Sequence, residues 1–549
     1  MRHSNLSMAA LLAVVFSLHH AQAAPPPANP PTPGAVQATL PKAPAPAPKQ
    51  AAPVSAPQST TPSVAAGGVA VTVKQFDLSG NTVFDTATLQ AQISQYVGQS
   101  LTLADLYKVA QVLTRFYQAH DYGLARVTVP EQKFEDGSVK LQVIEGEIGA
   151  VRVQGNTNTN NATIMNRAAS VKAGTVFTNQ AAERAVLLVN DLPGVQARAV
   201  MVPGSVFGTA DMVFNVRETR YQGYGSIDDY GRPAIGRWRL NAGADINSLS
   251  GHGDRLSADI THSEASLLNF GNLTYSLPLG PSGGQLAATY NRATYHVGGP
   301  TFGPLDISGS TSNVSAVYQY PLVRTANKDL YWGAGVLHTG SKANSAGTTV
   351  TDNSLNLLQA TVYYVRQHRD GSYYTLDGQF FTNGKHNDGT AGNNGEQARF
   401  VFDGSYVLPF TSSWTFTGRG GAQYSPNTVV DNDKYSLGGP YSVRGFLPAE
   451  QRGDSGLFAS GEIQRSLLPS LGMSLGAFLD SGRFWNKAIS ATGVPGSAHE
   501  LTGAGLDLSF SPADGRWNAR LQWAYAIGGY RPSDGNGGGH IWATFGMNF

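Results

Sequence analysis

The sequence predicts an antiparallel transmembrane β-barrel of about sixteen strands, preceded by two small α/β units. Three observations carry this prediction. Only 14% of the residues are charged, against about 25% in an ordinary soluble protein, while Gly, Tyr and Phe are frequent. From residue 219 onward, apolar and polar residues alternate at period two, in segments of about ten residues separated by turns. That is the pattern of strands with one face in lipid and the other in a wet lumen. Beyond the N-terminal leader, no apolar run approaches the about 20 residues that a spanning helix needs. An exported chain of this kind can still cross a bilayer as a closed barrel, because closure satisfies every backbone group without water.

The chain opens with Arg2 and His3 before an apolar run from Met8 to Leu18, then Ala21-Gln22-Ala23. A short apolar core followed by small-x-small reads as a secretory signal peptide, residues 1–23. Residues 24–68 hold thirteen prolines. Proline fixes φ and removes a backbone donor, so this stretch is expected to be a disordered tether without a helix. The absence of cysteine excludes disulfides and thiolate metal sites. A net charge of +1 gives no argument for nucleic acid.

Residues 69–147 read as one β-α-α-β-β unit. Val71, Val73 and Phe76 open a strand that ends at Ser79-Gly80-Asn81. A helix covers roughly Thr86 to Tyr96. A second starts after Thr102, with Asp105 three residues on as a capping partner. Its Leu106, Val109, Ala110, Leu113, Phe116 and Tyr117 recur at helical spacing. The strand Ala125–Val129 stops at Pro130, and Val139, Leu141 and Val143 alternate after Asp136-Gly137. The pattern recurs in residues 148–218. Val151–Asn156 repeats the strand and its Gly-Asn turn, helical stretches follow near Ala162–Ser170 and Gln180–Asn190, and strands near Gln196–Val202 and Asp211–Arg217 close the unit.

Residues 219–549 are the barrel. Trp517 to Tyr525 carries apolar and aromatic residues at odd positions and Asn518, Arg520 and Gln522 between them. Trp414–Tyr424 and Leu471–Asp480 alternate in the same way. Segments such as 308–320, 329–339 and 354–366 fill in the count. The chain alternates to its end and finishes on Phe549.

Nothing in the chain assembles a catalytic or metal constellation. Gly453-Asp454-Ser455-Gly456 matches a protease nucleophile segment, but Gly, Asp and Ser are ordinary turn residues at a strand start. Asp431-Asn432-Asp433 begins like a calcium loop, lacks the later ligands, and reads as a solvated loop tip. Gly389–Gly395 follows no phosphate-binding pattern. The histidines show no His-Glu-x-x-His. No enzyme, cofactor or metal is expected.

Two stretches stand apart. One is the loop Gly438-Gly439-Pro440-Tyr441-Ser442-Val443-Arg444-Gly445-Phe446, a single cation among small and apolar residues. The other is Phe478-Leu479-Asp480-Ser481-Gly482. There, alternation from Leu471 to Leu479 puts Asp480 on the face opposite the lipid-facing leucines.

This assembly resembles the outer-membrane translocators of two-partner secretion, the haemolysin- and filamentous-adhesin-exporting relatives of the barrel-assembly proteins. The small units resemble POTRA domains. The likeness rests on Tyr122-Gly123, Ala125-Arg126, Pro130-Glu131-Gln132, Leu192-Pro193-Gly194-Val195, Pro203-Gly204, the Val443-Arg444-Gly445-Phe446 loop and the Phe478-x-Asp480-x-Gly482 strand. It implies a monomer in a Gram-negative outer membrane, with its POTRA units in the periplasm. It implies that the loop 425–454 folds into the lumen and that Arg444 pairs with Asp480. It also implies that an unfolded secreted partner protein is captured in the periplasm and exported, and that the barrel-assembly machinery reads the terminal Phe549. A barrel-insertion factor is the alternative. In the usual POTRA sheet the strand Leu124-Ala125-Arg126-Val127-Thr128-Val129 is an edge able to accept an added strand. The neighbouring helix, through Leu106, Val109 and Leu113, is the expected source of apolar contacts to cargo. Some relatives plug the pore with an N-terminal helix. The prolines of residues 24–68 argue against one here.

Overall fold

The computed structural model describes residues 30–40, 70–134, 136–383, 397–488, 493–537 and 539–549. The leader, most of the Pro-rich stretch and Gly389–Gly395 lie outside the described residues.

In the first unit, Ser138–Ile144 is the central strand, parallel to Gln75–Ser79 and antiparallel to Arg126–Thr128. Helices Thr86–Ile93 and Leu103–Ala119 cover one face of this sheet. Thr102 and Asp105 form a reciprocal capping box that starts the longer helix. The second unit repeats the arrangement. Thr209–Glu218 lies between Glu147–Gln154 and Val195–Pro203, with helices Asn161–Arg167 and Asn179–Asn190.

One shared device has no mark in the sequence pattern. A glutamate at the end of each unit's last or central strand returns to the turn after its first strand. Glu145 accepts from the amides of Thr82 (2.7 Å) and Val83 (2.8 Å). Glu218 accepts from those of Thr157 (2.6 Å) and Thr159 (2.9 Å).

Sixteen antiparallel strands, from Tyr221–Asp228 to His540–Asn548, close into a barrel. The last strand pairs with the first through five residue pairs. Leu240, Ile260, Leu358 and Leu479 stand exposed on the outer face, whereas Asn241, Thr261, Asp480 and Gln522 are buried inside. The sixth to eighth strands, Ile307–Arg324, Lys328–Ser345 and Thr348–Gln367, outrun the expected 308–320, 329–339 and 354–366. Beyond Val336 and Leu358 the outward positions of the seventh and eighth turn polar (His338, Asn356), so the apolar signal stops while backbone pairing continues. The sixth runs on past residue 320 through Pro321 and Val323, across an irregularity in its register.

The Pro-rich stretch departs from expectation. Pro33–Thr39 is a helix, buried inside the barrel. The prolines permit it because Pro33 sits in the first turn, where no intrahelical donor is lost, and no proline follows until Pro41. Thr32 caps it by accepting from the Ala35 amide at 3.3 Å. Seven residues alone make no stable helix in water; the lumen supplies the rest. Val36 and Leu40 pack against Leu268, Ala293, Tyr295 and Ile307. The buried Arg239 donates to the Thr39 carbonyl at the helix C-terminus, where a cation is favoured.

The second unit is fastened to one rim of the barrel. Arg324, at the end of the sixth strand, grips Asp191 with two nitrogens (2.8 and 2.9 Å) and Asp329 with a third (2.9 Å). Arg167 donates to the Gly284 carbonyl at 2.7 Å.

Candidate functional site

The loop between the eleventh strand, Trp414–Tyr424, and the twelfth, Ser455–Leu468, folds into the lumen, and residues 437–450 are almost wholly buried. Its hairpin is started by Gly438 and Gly439, at φ +104° and +88°, a backbone region open to glycine. Ser442 accepts from the Gly438 amide, and the Phe446 carbonyl accepts from Gly439.

Arg444 and Asp480 are both 0% exposed. The guanidinium holds Asp480 through Nε and Nη2, each at 2.8 Å, and the Arg444 amide adds a third bond at 3.1 Å. Such a bidentate, charge-assisted pair fixes direction as well as distance. Two partners absent from the sequence motif complete the cage. Glu462 accepts from Nη1 at 2.7 Å and Ser460 from Nη2 at 3.2 Å. Both belong to the twelfth strand, directly opposite Phe478 and Asp480 of the thirteenth, Met473–Asn486. Strand register was the signal that would have found them. The guanidinium also lies 3.2 Å from the centroid of the Phe478 ring. Glu462 is shared with Arg520, which also binds Asp507, so both charges of the central pair sit in an alternating network.

The rest of the motif is packing. Phe446 and Val443 are fully buried among Leu437, Phe458, Phe484 and Leu501. A Cβ on Gly445 would lie 2.7 Å from the Ala526 nitrogen, and one on Gly482 would lie 2.8 Å from Leu437. Gly445 is therefore required by close approach of backbone, whereas a Cβ at 482 would have to displace the Leu437 side chain.

A second cluster ties the lumenal helix to the same loop. Asp431 accepts from the Gly34 amide at 2.8 Å and from Arg452 at 2.6 Å. Arg452 also donates to Thr32 at 2.8 Å. Asp433 pairs with Arg399 at 2.8 Å. The segment Asp431–Asp433, expected at a solvated tip, is turned inward because its carboxylates meet arginines and a helix amide there.

The expected cargo contacts fare differently. Leu106, Val109 and Leu113 are buried in the core of the first unit, so they offer no surface to a partner. An apolar helical stripe signals a face that packs, and here it packs on its own sheet. Arg126–Thr128 is an edge strand, yet its outward donors are occupied. The Val127 amide bonds Thr114 Oγ1 at 2.9 Å and the Ala125 amide bonds the Tyr122 carbonyl at 3.1 Å. A strand added there would have to take those two amides from their present partners. In the same segment Arg126 is exposed, and Leu124, Thr128 and Val129 are half-buried. Phe549 is 81% exposed, with its backbone paired to Gly223.

Residues 210–510, more than half of the chain, match the family described as haemolysin secretion/activation protein ShlB/FhaC/HecB. The chain belongs to this family. Residues 71–146 match its POTRA domain, ShlB-type. A heme/hemopexin transporter protein HuxB of Haemophilus influenzae strain 86-028NP is 26% identical over 441 residues, 77% of each chain. Outer membrane transporter CdiB-2 of Burkholderia pseudomallei is 26% identical over 436 residues, 75% of this chain and 73% of that one. Among solved structures, CdiB from Escherichia coli superposes with a TM-score of 0.68 at 18% identity, over 91% of this chain and 94% of that one. BamA from Haemophilus ducreyi shares the fold, with a TM-score of 0.52 at 17% identity, over 87% of this chain and all of that one. This member of the ShlB/FhaC/HecB family is thus an outer-membrane transporter that exports a secreted partner protein, with its POTRA region on the periplasmic side. Its family match sets aside the barrel-insertion alternative.

Proposed function

We propose that this transporter takes up its partner unfolded through its POTRA units and passes it along a lumen gated by the inward loop. The Arg444–Asp480 pair is the latch of that gate, and helix Pro33–Thr39 is its plug. The fully buried, bidentate grip on Asp480 carries this reading. With residues 437–450 buried inside the lumen, the loop must yield or shift for a chain to pass. The link from Asp431 and Arg452 to Thr32 and Gly34 supports plug and loop moving together. Capture rests on side chains of the POTRA units rather than on the Ala125 and Val127 amides, which are already bonded. We assign domain limits at residues 69–147, 148–218 and 219–549, a monomer, recognition of Phe549 by the barrel-assembly machinery, activation of the partner as part of the export step, and no catalytic activity. The HuxB relatives' name puts a haem-handling protein first among partners to test.

The experiment is export of the cognate secreted protein by Arg444→Ala. The barrel inserts normally by heat-modifiable mobility, and export falls by about tenfold or more, because removing one partner of a buried pair leaves the other charge stranded. Wild-type export would overturn the latch.

A further inference from the structure

The inward loop is held from a second side, by its main chain. On the final strand, Trp542 Nε1 donates to the Arg444 carbonyl at 2.7 Å. Two residues earlier on the same face, His540 Nδ1 lies 3.0 Å from the Gly445 carbonyl. Its Nε2 lies 3.1 Å from Asp534 Oδ2, in the loop that precedes the final strand. The two rings stack at 5.5 Å and 7°, and both residues are buried, Trp542 at 1% and His540 at 6% exposure.

A carbonyl and a carboxylate are both acceptors. A neutral imidazole has one N–H and one lone pair, and so can satisfy only one of them; the imidazolium satisfies both. We propose that His540 is a proton-dependent positioning residue for the inward loop. Doubly protonated, it bridges Gly445 to Asp534 and, with Trp542, clamps the loop against the final strand; on losing a proton it releases one end of the bridge.

The surroundings suit a cation. Burial pushes the Asp534 carboxyl up, but the hydrogen bonds from His540 and the Asn536 amide outweigh it and hold it below its ordinary value. Glu450, Arg232 and Arg444 each have their own partners, while Arg531 in the same loop leaves its Nε without one. Glu450 accepts from the amide and hydroxyl of Ser533, and Arg232 donates to the Ala449 carbonyl at 3.2 Å. The Arg444 guanidinium is turned the other way, onto Asp480 and Glu462. Tyr530, in the same loop as Asp534, bonds Gln451.

The inference rests on the loop being the gate, but its test needs no cargo. Full-length protein in planar bilayers is stepped from pH about 5.5 to about 8 on the extracellular side. Wild-type current rises by about fivefold, as expected for the loss of one hydrogen bond from the closed state. His540→Gln gives the same current at both values. Asp534→Asn carries the same test if His540→Gln fails to insert, since an amide can pair with Nε2 in either protonation state and flattens the response. Trp542→Phe raises the current at both values and keeps the step. A wild-type current indifferent to pH, or a step retained in His540→Gln, overturns the proposal. Either result leaves the export reading standing, because that reading is judged on secretion by Arg444→Ala.

Discussion

Arg444 in the lumen and Arg324 at the periplasmic rim each grip one aspartate with two nitrogens and a second carboxylate with a third. What they hold differs. Arg324 joins two folded bodies, the second POTRA unit and the barrel, and Asp191 keeps 26% of its side chain in solvent. Arg444 joins a loop to the wall behind it, and neither it nor Asp480 keeps any exposure. The loop's apolar side chains Val443 and Phe446 pack on the barrel wall, so its position depends on contacts with that wall, the ion pair among them. The second unit has a complete core, so its fold does not depend on Arg324, only its placement does. The same ion-pair geometry therefore serves as a latch in one place and a weld in the other.

The largest effect expected from this contrast is on the latch. Asp480→Ala should cut export about tenfold or more, as Arg444→Ala does, and the double variant should be no worse than either single, giving a coupling of about 0.5–3 kcal/mol between contacting residues. Additive losses in secretion assays would mean that the two residues act separately. Arg324→Ala should behave as a loosened weld. Both units stay folded, while amide exchange rises across residues 280–284 and helix Asn179–Asn190. The cost is below the about 3–5 kcal/mol of a fully buried pair, because water reaches Asp191. Unfolding of the second unit in this variant would erase the distinction.

Smaller effects test the plug. Thr32→Ala removes the N-cap of helix Pro33–Thr39, worth about 1 kcal/mol, together with a partner of Arg452. Bilayer current should rise about fivefold at fixed pH, in line with that energy. An unchanged current would show that the loop alone limits leakage.

The smallest effect is on acid stability of the POTRA units. Burial raises Glu145 and Glu218, but the turn hydroxyls and amides they accept from outweigh it and depress both carboxyls. A depressed folded value means that the stabilisation is present above the unfolded glutamate value of about 4.3 and is lost as pH falls through the folded one. Protection from amide exchange at residues 82–83 and 157–159 of the full chain, corrected for the intrinsic pH dependence of exchange, should therefore fall below that pH. Glu145→Gln and Glu218→Gln should remove the pH dependence, each in its own unit.

The barrel was legible because lipid and lumen impose a period of two on every strand, and that period is written in the residues themselves. The POTRA helices were legible for the same kind of reason, with Thr102 and Asp105 marking one start to the residue. The motif pair Arg444 and Asp480 was visible as a motif, and alternation alone placed Asp480 inward. Less visible was everything that depends on distant segments meeting. A stripe such as Leu106, Val109 and Leu113 looks alike whether it packs on its own sheet or on a partner, and only the sheet's position decides. Strand register, not local sequence, brought Glu462 and Ser460 under Arg444. Barrel closure brought Trp542 and His540 to its other side. Arg324 and Asp191 lie 133 residues apart and carry no pattern.

The sequence by itself determined the architecture, the family-like loop and the lumenal face of Asp480, because each follows from periodicity or from a contiguous motif. Tertiary structure alone decided that a proline-rich tail contains a helix. Seven residues between Pro33 and Pro41 fold only where Arg239, Asp431 and an apolar wall of the lumen meet them.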